Sequence, residues 1–101
     1  MKQPSSSGKN DRGALTREVT IKNKLGIHAR PAALFVKTAS RFRSEITVEK
    51  DGENVNGKTI MGLMMLAAGQ GTKLSISAQG EDASTALDEL EALVERRFDE
   101  D

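Results

Sequence analysis

Hydrophobic and polar positions alternate from Leu15 onward. Val19 and Ile21 are placed to face a core, with Arg17 and Thr20 turned outward, which predicts a strand running to about Lys22. Asn23-Lys24-Leu25-Gly26 breaks the alternation as a loop. Ala32, Phe35, Val36, Ala39 and Phe42 then recur at helical spacing and predict one buried stripe, with Leu34 and Lys37 off it. Residues 44–50 alternate again, Ile46 and Val48 inward. Asp51-Gly52 signals a hairpin, and Val55 anchors a short third strand.

Thr59 has the composition of an N-cap. Residues 60–68 follow as a short helix, apolar on nearly every side and closed by Gly69 at the C-cap position. Gln70-Gly71 turns the chain into a fourth strand, where Leu74, Ile76 and Ala78 alternate with Ser75 and Ser77. A last helix starts near Asp82 and buries Ala83, Ala86, Leu87, Leu90 and Val94. The acidic tail Asp99-Glu100-Asp101 is expected to fray. Residues 1–14 have no period of either kind and read as a disordered extension ahead of one domain over 15–101.

The order β-α-β-β-α-β-α predicts a two-layer α+β domain with its helices on one face of a sheet. Placing strand four between strands one and two would make every neighbouring pair antiparallel. The pattern alone leaves that pairing order open.

Composition narrows the function. Among 101 residues, 15 lysines and arginines balance 15 aspartates and glutamates, so no broad field favours nucleic acid or an anionic membrane. Cysteine is absent, which removes disulfides and thiolate metal sites. No apolar run approaches the roughly 18–20 residues needed to span a bilayer. The first residues lack the apolar segment of a secretory signal. A cytoplasmic protein without metal or cofactor is expected.

The only histidine, His28, lies within Gly26-Ile27-His28-Ala29-Arg30-Pro31, at the start of the first helix. Imidazole is substantially neutral and nucleophilic near pH 7. A helix start offers unpaired amides and the positive end of a dipole, and Pro31 suits a first turn. Arg30 adds a guanidinium that grips phosphate oxygens through several donors. Together these point to a histidine built to carry a phosphoryl group. The plainer reading is a histidine that merely caps the helix.

Gly52-Glu53-Asn54-Val55-Asn56-Gly57-Lys58-Thr59 matches the expression G-x-x-x-x-G-K-[ST] of a phosphate-binding loop. That motif requires all eight residues in one loop between a buried strand and a long helix. Here Gly52 belongs to a hairpin, Val55 to a strand, and the helix that follows is short. A nucleotide-binding enzyme is therefore disfavoured, and neither Ser40 nor Ser44 sits in a nucleophile elbow. In the helix after Thr59, Leu63 and Leu66 suit the core, whereas Ile60, Met61 and Met64 are expected at the surface. Adaptable methionines there suit a site shared by several partners.

The segment Gly26-Ile27-His28-Ala29-Arg30-Pro31-Ala32 resembles the active-site segment of the HPr family. These are the histidine phosphocarriers of the bacterial phosphoenolpyruvate-dependent sugar phosphotransferase system. Thr38-Ala39-Ser40, the run from Asn56 to Leu66, Gly69-Gln70-Gly71-Thr72 and Gly80-Glu81-Asp82-Ala83 are similar to the family as well. The resemblance covers about residues 15–98. It implies an open-faced β-sandwich, with a four-stranded antiparallel sheet in the order 1-4-2-3 covered on one face by three helices. It also implies that His28 accepts a phosphoryl group on Nδ1 from phosphorylated Enzyme I and donates it to IIA domains of sugar transporters. Arg30 would neutralise the phosphate, with the Ala29 and Arg30 amides completing the site and Ile60, Met61 and Met64 docking partners. Such a protein is a carrier reset by its partners, not an enzyme, and a monomer is expected. Thr59 stands where the family usually has a serine phosphorylated by an HPr-type kinase, which makes it a candidate regulatory site. A regulatory paralogue that binds a transcription factor or enzyme is the alternative use of the same fold.

Overall fold

The computed structural model describes residues 14–100. The strands are β1 (Ala14–Thr20), β2 (Glu45–Lys50), β3 (Glu53–Asn56) and β4 (Lys73–Gln79). The helices are α1 (Ala29–Ala39), α2 (Ile60–Met65) and α3 (Ala83–Glu95), and a single turn at Arg97–Asp99 follows α3. The strands form one sheet in the order β1-β4-β2-β3, with every neighbouring pair antiparallel. The expected order 1-4-2-3 is therefore the observed one. Among the described residues no helix is long and apolar enough to cross a membrane.

Period-two alternation explains why the sheet has one dry face. Val19, Ile46, Val48, Leu74, Ile76 and Ala78 are buried together against Ala32, Phe35 and Ala39 of α1 and the apolar stripe of α3. The other face is polar: Thr16 pairs with Ser77 across the sheet, their hydroxyls 2.9 Å apart. At the β2–β3 hairpin, Asp51 and Gly52 both take positive φ, 52° and 87°, as a two-residue turn of this hand requires.

Several local expectations need correction. Arg17 shares the parity of Val19 and so lies on the helix-covered side. From that edge strand its guanidinium reaches α3, bonding Asp88 at 2.8 Å and Glu91 at 2.9 Å. In α1, Val36 is only partly buried, as is Leu34, and Phe42 lies beyond the helix end, partly buried against the core. Helix α2 stops at Met65, three residues early. The left-handed residue that ends it is Ala67 (φ 52°), and Gly69 takes no such part. β1 begins at Ala14, one residue before the expected domain start; the rest of the predicted extension lies outside the described residues.

The largest departure concerns the acidic tail, which does not fray over the residues described. Arg97, Phe98 and Asp99 occupy the left-handed region in succession, with φ of 61°, 54° and 59°. Such a conformation costs on the order of 1–2 kcal/mol per residue for L-amino acids. Burial of the Phe98 ring, 1% exposed, offsets part of that cost, because a fully buried phenylalanine contributes roughly 1.5–3 kcal/mol. The turn reverses the chain after α3 and returns Glu100 to the loop before α1. Asp101 lies outside the described residues.

Candidate functional site

The loop between β1 and α1 is built around two residues that place His28. Gly26 takes a φ of 70°, and a Cβ there would stand 2.4 Å from the Ala68 carbonyl oxygen, so only glycine fits. Its own carbonyl accepts from the His28 amide at 3.0 Å and from Asn23 Nδ2 at 2.7 Å. Ile27 N–H donates to Ala68 O at 2.8 Å, tying this loop to the segment that follows α2. His28 is the N-cap residue of α1 with extended backbone, yet its ring makes no capping bond. The capping explanation for this histidine is thereby removed.

The His28 ring is half-buried and its Nε2 lies 3.0 Å from Glu100 Oε2. The same carboxylate oxygen accepts from Asn23 Nδ2 at 3.0 Å. Glu100 is held below the ordinary carboxylate range, chiefly by the bond from His28, then by that from Asn23, with Arg30's charge helping and desolvation opposing. An ionised carboxylate only accepts hydrogen bonds. This assigns the ring proton to Nε2 and leaves the Nδ1 lone pair free in the neutral ring. Asn23 is fully buried, and its Oδ1 has no partner among the described residues. An unsatisfied buried acceptor costs about 1–3 kcal/mol. The reverse amide orientation would be worse, because it would point oxygen at the Gly26 carbonyl and the Glu100 carboxylate.

Next to the ring, Ala29 and Arg30 are the first two residues of α1 and both are exposed. Residues at that position have no carbonyl four back within the helix, so their amides face outward for an anion. Pro31, the next residue, has no amide to lose and is buried against the core. Arg30 makes no contact ion pair among the described residues, and its charge acts on Glu100, the partner of His28.

Elsewhere, Thr59 caps α2 as its composition suggested. Its hydroxyl oxygen accepts from Gly62 N–H at 3.2 Å, and the hydroxyl donates to Asn56 O at 3.2 Å. Leu63 and Leu66 are buried, while Ile60 and Met64 are each 42% exposed and Met61 74%. Met65, 67% exposed, joins them around a shallow apolar depression. The glycine-rich match does not form a phosphate loop. Residues 53–56 are strand, Gly57 N–H bonds Ile46 O at 2.7 Å, and Lys58 Nζ is tied to Phe42 O at 2.8 Å.

Sequence reasoning missed Asn23, Glu100, Met65 and the exposed Leu25. Asn23 opens a loop with no periodicity to mark it as buried, while the apolar Leu25 in the same loop is exposed. Glu100 carried a hidden signal: Phe98 is an apolar residue in an acidic tail, and it needs somewhere to go.

The architecture is that of known small phosphocarriers. The solved structure of HPr from Thermoanaerobacter tengcongensis superposes with a TM-score of 0.83 at 50% identity, covering 86% of this chain and 98% of that one. The phosphocarrier protein HPr of Xylella fastidiosa is 49% identical over 87 residues, 86% of this chain and 98% of the relative. A solved structure of Crh from Bacillus subtilis, described as a dimer formed by domain swapping, matches with a TM-score of 0.68 and 52% identity over 78% of this chain and 91% of that one. The family model for the PTS HPr component phosphorylation site matches residues 15–96. The chain belongs to the HPr family of phosphocarriers of the phosphotransferase system.

Proposed function

We propose that this chain is a cytoplasmic phosphoryl relay in which His28 Nδ1 takes the phosphoryl group from phosphorylated Enzyme I and passes it to IIA domains of sugar permeases. The observation that carries this reading is the engagement of Nε2 by Glu100, which leaves Nδ1 as the nucleophile at the start of α1. Attack by the Nδ1 lone pair forms the N–P bond as the donor's own bond to phosphorus breaks, its electron pair returning to the donor. Outward amides of Ala29 and Arg30 and the Arg30 guanidinium meet the charge on the transferred oxygens. The group then leaves by the reverse step to the next partner, so the protein carries phosphate and completes no turnover alone. Ile60, Met61 and Met64, with Met65, give successive partners one apolar surface.

The reading treats the carrier as a monomer. Reconstitution tests the relay. With Enzyme I, phosphoenolpyruvate and a IIA domain, labelled phosphate reaches the IIA domain only when this protein is present. Label arriving equally without it would refute the reading.

The likeness to Crh, described as a catabolite repression protein, favours a second, regulatory use, for which we propose Thr59 as the phosphorylated residue. A phosphate at this exposed N-cap would lie against the positive end of α2, next to the apolar docking residues. An HPr-type kinase with ATP should label the parent and not Thr59→Val. Equal label in both would move the regulatory site.

A further inference from the structure

The buried asparagine before the site has no part in the relay as described, and its bonds point to one. We propose that Asn23 is a positioning residue for the reaction at His28: by holding Glu100 it fixes the ring proton on Nε2 and presents the Nδ1 lone pair to phosphorus. This rests on the reading of His28 as the phosphoryl acceptor.

Three observations converge on it. Asn23 Nδ2 bonds both the carbonyl of Gly26, which also receives the His28 amide, and the very oxygen of Glu100 that receives His28 Nε2. One amide thus sets the loop and the carboxylate relative to each other. Its Oδ1 is left without a partner among the described residues, so the orientation serves those two bonds at the expense of its own satisfaction. Finally, Glu100 arrives only through three successive left-handed residues pinned by the buried Phe98, a strained approach of the kind that concentrates at working sites.

The chemistry gains from a fixed tautomer in both directions. On acceptance, Nδ1 attacks with its lone pair while Nε2 keeps its proton, and the ring becomes a cation facing the Glu100 carboxylate. On donation, the N–P bond breaks with its electron pair returning to Nδ1, and the neutral ring is restored with the same proton in place. No proton needs to move in either step.

The test measures the ring nitrogens of His28 by 15N NMR with the ring neutral, alongside phosphoryl transfer from Enzyme I, in the full chain. In the parent one nitrogen should be pyrrole-like and the other pyridine-like. In Asn23→Ala and Glu100→Ala the two signals should draw together, and transfer should fall about tenfold, the scale of a lost hydrogen bond to a charged group. Glu100→Gln, whose amide oxygen still accepts from Nε2, should keep the parent tautomer and recover part of the rate. Glu100→Ala guards against a folding artefact, since Glu100 lies outside the core. Unchanged ring signals in Asn23→Ala overturn the proposal, whether or not transfer falls and whatever Glu100→Ala shows. A parent with separated ring signals that takes no label on His28 would instead refute the phosphocarrier reading.

Discussion

His28 and Glu100, 72 positions apart in sequence, meet with the imidazole Nε2 3.0 Å from the carboxylate Oε2. That contact joins the start of the first helix to the chain leaving the last one. It depends on Phe98, whose burial holds the intervening turn in a left-handed conformation that it would not adopt alone.

Phe98→Ala therefore has two expected effects. Removing a buried phenylalanine costs about 3–5 kcal/mol, a large share of the roughly 5–15 kcal/mol typical of a domain. In the population that stays folded, the His28 and Glu100 signals should lose their coupling. Urea unfolding and NMR spectra check both, and a variant as stable as the parent would show that the turn is not anchored there.

Arg30 is exposed and outside the buried stripe of α1, so Arg30→Ala should change stability by no more than about 0.5 kcal/mol. Loss of a charge-assisted bond to phosphate oxygens, about 1.5–3 kcal/mol, should slow transfer roughly ten- to a hundredfold. Stopped transfer assays read this directly. Equal rates in variant and parent would remove Arg30 from the site.

The exposed methionines predict a separation of folding from binding. With Met61 74% and Met64 42% exposed, replacing both with glutamate leaves the charges in water and the melting transition near that of the parent. Binding to Enzyme I and to acceptors should weaken together. A collapsed melt would contradict the exposure, and undiminished binding would place the docking surface elsewhere.

Acid stability should depend on Asp82. Its carboxylate does not cap its own helix but accepts from the Arg43 amide at 2.9 Å, the Ser44 amide at 3.0 Å and the Ser44 hydroxyl. The Ser44 hydroxyl first, then the Arg43 amide, holds its pKa below the usual value. A depressed folded-state pKa means stability fully present above the unfolded value, about 3.9, and lost as pH falls through the lower folded one. Asp82→Asn should weaken the protein near neutrality and flatten that acid slope. Parallel unfolding curves at pH 7 and pH 3 for variant and parent would contradict the assignment.

The strands, the helices and the position of His28 and Arg30 at the start of α1 were legible in local pattern because each is a short-range property: alternation, helical spacing, a hairpin dipeptide, a proline in the first turn. Arg17 lies on the helix-covered side because register with Val19, not charge, sets the face of a strand residue, and from an edge strand its long side chain still reaches the carboxylates of α3. Ala67 was missed because a left-handed alanine has no compositional mark. Asn23 and Glu100 were missed for a different reason. Their meaning lies in a contact across most of the chain, and no local period encodes it.

The most direct test of the central claim is where phosphate goes. The protein is incubated with phosphoenolpyruvate and Enzyme I, and the label is tested for acid and alkali stability in the parent and in His28→Ala. The account predicts an acid-labile, alkali-stable phosphoramidate in the parent, as an imidazole nucleophile requires, and no label in the variant. An unlabelled parent, or a His28→Ala protein that still takes the label, would contradict it.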